Sequence, residues 1–81
     1  MTKTEFEAFV QEQVALLRPK AANLELASGQ RAKGKLIFFE ALVAAQGKSW
    51  TPEQFGLLDA VNDTLQEIGT IKSDMVFYNL E

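Results

Sequence analysis

The chain has no cysteine and no histidine among its 81 residues. Their absence removes thiol nucleophiles, disulfide cross-links, the usual zinc ligand sets and imidazole acid–base chemistry. No cofactor and no metal site are expected, and the chain reads as a non-enzyme. A long hydrophobic run is also missing. The greasiest stretch is Leu36–Ala45, ten residues interrupted by Glu40, whereas a membrane span needs about 20. The opening Met1-Thr2-Lys3-Thr4-Glu5-Phe6-Glu7 lacks the basic-then-apolar pattern of a secretory signal. A soluble, cytoplasmic chain with no membrane association is the expectation.

What is present suits a folded domain. The chain is 47% apolar and 23% charged with a net charge of −3, which argues against disorder. Its length allows one domain, residues 1–81. At that size only about 60–65% of the unfolded surface is buried on folding, so stability is marginal. With no disulfides, it must come from packing within the chain or against a second copy.

The hydrophobic spacing predicts an all-α fold, a small three-to-four-helix bundle, dimeric. Thr4-Glu5-Phe6-Glu7 reads as a capping box. Phe6, Phe9, Val10, Val14 and Leu17 then recur at helical steps. Pro19 disfavours helical geometry at Arg18, so the first helix is set at 4–18. Ala21, Leu24, Leu26 and Ala27 suggest a short second helix over 20–27, stopped by Ser28-Gly29.

A third helix is set at 31–46, although Leu36-Ile37-Phe38-Phe39 would also suit a buried strand. Trp50-Thr51-Pro52-Glu53-Gln54-Phe55 is the strongest local signal. Thr51 caps, Pro52 takes the first helical position, Gln54 completes the box, and Trp50 and Phe55 form a hydrophobic staple. Leu58, Val61, Leu65 and Ile68 make the seam of a helix at 52–68, and Gly69 reads either as its C-terminal cap or as an interior glycine costing roughly 1 kcal/mol relative to Ala. A last helix at 73–80 competes with a short strand at Met75–Tyr78.

Gly29-Gln30-Arg31-Ala32-Lys33-Gly34-Lys35 fits the spacing G-x-x-x-x-G-K. Leu36 stands where a phosphate-binding loop needs Ser or Thr for magnesium, and no buried strand precedes it. The segment reads instead as solvated, with Arg31, Lys33 and Lys35 as a weak anion contact.

Charge is unevenly placed. From Arg18 to Lys35 there are five basic residues against one acidic, a balance of +4. From Ser49 to Glu81 there are six acidic against one basic, a balance of −5. Asp59, Asp63 and Glu67 repeat every fourth residue as an acidic stripe, which costs a helix roughly 0.2–0.5 kcal/mol per like-charged pair. It reads as a solvated face, as a contact with the basic 31–35 segment within or between copies, or as a dock for a basic partner. Three carboxylates spread along one helix cannot close around one metal ion.

Glu40, alone in its apolar run, either reaches water or pairs with a cation from another element. Phe38 and Phe39 point about 100° apart on a helix, so one neighbouring helix cannot cover both. That is the sequence's best hint of an interface. The expectation is a protein–protein interaction module binding through Phe38, Phe39, Glu40 and the acidic stripe. Its partner is another protein, with a basic surface, and the chain itself is a homodimer. This is the profile of small bacterial or phage accessory proteins such as inhibitors, adaptors and chaperones, an analogy of type only. The alternatives are a nucleic-acid binder using the basic 18–35 segment, and an acidic decoy of a nucleic-acid-binding surface.

Overall fold

In the computed structural model, residues 1–73 and 75–78 are described. They form three helices and no strand: α1, Lys3–Ala21; α2, Ala27–Gln46; α3, Pro52–Glu67. An irregular segment follows α3. The all-helical expectation holds; the count is three.

Helix α1 begins earlier than the spacing suggested. Thr2, not Thr4, is the cap. Its hydroxyl accepts from Glu5 N–H at 3.1 Å, and Thr2 N–H donates to the Glu5 carboxylate at 3.0 Å. The overlapping boxes T-x-x-E at 2–5 and 4–7 compete, and the earlier one lengthens the helix. The helix also runs through Pro19 to Ala21. Pro19 removes only the bond to the Ala15 carbonyl, and Ala15 is exposed, so water can serve that oxygen. The expected stop at Arg18 overstates what one proline costs in a last exposed turn.

The short helix expected over 20–27 does not form between Ala22 and Leu26. Asn23 accepts from Glu25 N–H at 3.3 Å, a local turn that competes with helical bonding. Gln30 ties the turn down by donating to the Leu24 carbonyl at 3.0 Å. Helix α2 therefore starts at Ala27 rather than 31, and all of Gly29–Lys35 is helical. The segment is not a phosphate loop. Gly29 is buried in the first turn of α2, where a Cβ would overlap the Asn23 carbonyl oxygen and sit 2.7 Å from its carbon. This glycine lets α2 cross the end of α1 closely.

Helix α2 is the centre. Ala41, Leu42 and Ala45 are buried, joined by Val10 of α1 and Leu58 of α3 in one cluster. Residues 36–39 are helix, which resolves the strand alternative. Helices α1 and α3 both lean on α2, but no Cα pair between α1 and α3 lies within 8 Å among the described residues. The radius of gyration is 13.6 Å, against about 12 Å for a compact chain of this length.

Two helix ends share one device. After α3, Gly69 adopts φ 81°, Gly69 N–H donates to the Gln66 carbonyl at 3.1 Å and Thr70 N–H to the Leu65 carbonyl at 2.9 Å. These are the two bonds of a Schellman motif, so Gly69 is the cap and not an interior glycine. After α2, Lys48 N–H and Ser49 N–H make the equivalent bonds to Ala45 and Ala44 at 3.1 and 2.8 Å. Here the left-handed residue is Lys48, at φ 55°, not the neighbouring Gly47.

The α3 seam is shorter than its periodicity. Leu58 is buried and Val61 and Leu65 are half-buried, but Ile68 is 68% exposed. The helix ends at Glu67; Ile68 keeps helical dihedrals as its C-cap but lies beyond the packed part of the seam. The expected terminal helix is absent at residues 73 and 75–78, as is the strand. Positions 74, 79 and 80 of that expectation lie outside the described residues.

Three outcomes check this account by thermal unfolding. Gly29→Ala should cost about 1–3 kcal/mol, since overlap outweighs the propensity gain. Lys48→Gly should add about 0.5–1 kcal/mol by relieving a left-handed non-glycine residue. A neutral Gly29→Ala would refute the close crossing, and a destabilised Lys48→Gly would refute the cap.

The third concerns acid. The Thr2 backbone N–H, then the Thr2 hydroxyl, hold the Glu5 carboxyl below its usual 4.5. A lowered folded value means its stabilisation is present above the unfolded pKa and lost as pH falls through the folded one. Glu5→Gln should therefore lose less stability than the wild type on acidification from about pH 5 downward. Parallel acid-side melting curves would contradict this.

Candidate functional site

The acidic stripe is where its spacing placed it. Asp59, Asp63 and Glu67 are all exposed on α3, away from the buried Leu58. The basic residues Arg31, Lys33 and Lys35 are exposed on α2. Among the described residues the one ion pair joins Arg18 and Glu40, so the stripe and the basic segment do not meet within this copy. Nor do the three cations share a face. On a helix Lys33 points roughly 160–200° from Arg31 and Lys35, which makes a poor continuous track for phosphates. Among the described residues no group of three His, Cys, Asp or Glu side chains is placed to hold a metal ion.

Glu40 takes the second of its two expected fates. It reaches Arg18 of α1, with Nη2 and Oε2 3.7 Å apart and both side chains substantially exposed. A pair this long and this wet contributes about 0–1 kcal/mol. It lies in an open groove of about 400 Å³, lined by Gln11, Val14 and Arg18 of α1, Glu40 and Val43 of α2, and Gln54 of α3. The groove exists because α1 and α3 do not close over α2 on this side. Its walls are mixed in polarity, and it carries no cluster of catalytic groups.

Around α2, Phe38 points about 160° from Glu40 and Phe39 about 100° from it. Each is half-buried. Phe39 meets Phe9 of α1 edge-to-face, with centroids 5.9 Å apart. Phe38 stacks on Phe77 at 6.2 Å and 8°. Two neighbours therefore cover what one could not, and both belong to the same chain. Phe38 meets Phe39 at 5.4 Å and Phe77 meets Tyr78 at 5.2 Å, so five rings run from α1 across α2 to the C-terminal segment.

The residues that hold this segment were not singled out by the sequence. Asn62 is 6% exposed, the one buried polar residue of the described chain. Its side chain accepts from Phe77 N–H at 2.9 Å and donates to the Met75 carbonyl at 3.2 Å. Gln66, one turn on, donates to the Ser73 and Met75 carbonyls at 3.1 and 2.9 Å. A faint signal exists: Asn62 lies four residues after Leu58, on the helix face that also carries Gln66.

Much apolar surface stays open. Phe9, Leu16, Leu24, Leu26, Ile37 and Ile68 are among the exposed large hydrophobics. Helix lengths and hydropathy are also known: no helix among the described residues is long and apolar enough to cross a membrane. Comparison with protein families, with curated proteins and with solved structures finds no match to this chain.

Proposed function

We propose that this chain is a non-enzymatic interaction module of the cytoplasm that works by binding another protein. The exposed large hydrophobic side chains carry the reading. A chain of 9.0 kDa that leaves large side chains such as Leu16, Ile37 and Ile68 open to water loses stability it can ill spare, unless a partner covers them. The acidic face of α3 supplies direction. Asp59, Asp63 and Glu67 are exposed and make no ion pair among the described residues, so their mutual repulsion is relieved by a cationic surface brought from outside.

The basic 18–35 segment supports a nucleic-acid role less well, because α2 splits its cations between two sides. The acidic face of α3 repels a polyanion, and the net charge of −3 adds to the repulsion.

The test is capture on the immobilised chain from a bacterial lysate at low and moderate salt, with the wild type beside Asp63→Lys. The variant should melt within about 0.5 kcal/mol of the wild type, as an exposed surface change. It should hold a wild-type partner roughly tenfold or more weakly, the scale of a close charge pair reversed. An identical retained set would dismiss the stripe, and a retained oligonucleotide in place of a protein would favour the nucleic-acid reading.

A further inference from the structure

The outer face of α1 is complementary to itself. At about 100° per residue, Glu5, Phe9, Glu12, Leu16 and Lys20 fall within about 80° of one another, roughly 130° round the helix from the buried seam of Val10, Val14 and Leu17. All five are exposed, Phe9 at 40% and Leu16 at 52%, and the half-buried Gln13 borders them. Helix α3 stays clear of this face, with no Cα within 8 Å of α1 among the described residues. Glu5 is held at one end by accepting from Thr2 N–H at 3.0 Å, and the Phe9 ring leans edge-to-face on Phe39. Glu5, Glu12 and Lys20 make no ion pair among the described residues. The other charged residues of α1, Lys3, Glu7 and Arg18, point about 100° or more away from the stripe.

Along the helix the stripe runs carboxylate, ring, carboxylate, leucine, ammonium. Turned end for end, it meets its own pattern in register. About a two-fold axis between Glu12 and Gln13, Glu5 of each copy faces Lys20 of the other and Phe9 faces Leu16. At the centre, the Gln13 amide of each copy donates to the Glu12 carboxylate of the other. Parallel pairing would set Glu5 on Glu5 and Lys20 on Lys20, which repel. Antiparallel pairing also opposes the two helix dipoles.

We propose that this face of α1 is an interaction surface whose partner is a second copy of this chain, packed antiparallel, α1 on α1, as a two-fold dimer. Charge complementarity in a fixed register identifies the occupant. An acid at one end, a base at the other and two apolar groups between, spaced evenly about one centre, are what an isologous contact requires. Glu5 and Lys20 stand about 22 Å apart along the helix, which leaves room for both Phe9–Leu16 pairs between the two charge pairs. At the spacing of packed helices, about 8–10 Å, each copy covers the open Phe9 and Leu16 of the other. The surface shares no residue with the acidic stripe of α3. Asp63→Lys therefore leaves this pairing intact, and either proposal can fail without the other.

Charge-reversed variants test it. Lys20→Glu leaves an acid at both ends of the stripe, and Glu5→Lys leaves a base at both ends. By sedimentation velocity over a concentration series, the wild type should pass from monomer to dimer. Each variant alone should dimerise at least about tenfold more weakly. Mixed one to one, the two variants should pair with each other about as tightly as the wild type pairs with itself, because every end pair is again one of opposite charge. A wild type that stays monomeric throughout, or a mixture no more dimeric than its components, overturns the proposal. Glu5→Lys also removes the capping carboxylate of α1. If circular dichroism shows that variant unfolded, cross-linking decides. The chain has no cysteine, so one introduced thiol is unambiguous. Glu12→Cys, beside the axis, should give a disulfide-linked dimer under mild oxidation, and Lys20→Cys, about 22 Å from its counterpart, should not. Any other pattern overturns the proposal.

Discussion

Everything in this small fold depends on how the C-terminal half of α2 is covered. Between Leu36 and Ala45 the helix is apolar on nearly every side, and a helix of that kind must be enclosed from more than one direction. Helix α1 takes one side and α3 another, while the terminal segment closes the gap at Phe38. No Cα pair between α1 and α3 lies within 8 Å among the described residues, so their packing runs through α2. A core of five buried residues around Leu42 is the result, and it is small for the surface the chain leaves in water.

That geometry separates two kinds of face. On one side of α2 the gap between α1 and α3 stays open and holds the weak Arg18–Glu40 pair. On the other, a relay of five rings fills the gap, and Asn62 and Gln66 pin its last members through main-chain bonds. The acidic stripe lies outside both, on a part of α3 that the core does not require. Binding functions assigned to these faces are therefore separable, since altering one leaves the packing behind the other in place.

The legible parts of the structure were those governed by a few neighbouring residues. Thr51, Pro52 and Gln54 form the box their order implies, and the Trp50 and Phe55 rings meet at 5.5 Å. Gly69 ends α3 as a left-handed residue should. Elsewhere a local rule met a rival. Thr2 outbid Thr4 as cap, Pro19 was tolerated in a solvated turn, and the Asn23 turn replaced a short helix that had too few bonds to nucleate. At the end of α2 the left-handed position fell on Lys48, one residue after the glycine.

Composition, capping chemistry and apolar spacing by themselves determined an all-helical chain, the start of α3, and the outward acidic stripe, because each depends on contacts within a turn or two of helix. Tertiary structure alone decided that Phe38 and Phe39 would be divided between two neighbours, that Glu40 would find Arg18, and that Asn62 would be buried. Those outcomes depend on which distant segments arrive beside α2. A polar residue such as Asn62 looks like surface until a main chain from fifteen residues away comes to meet it.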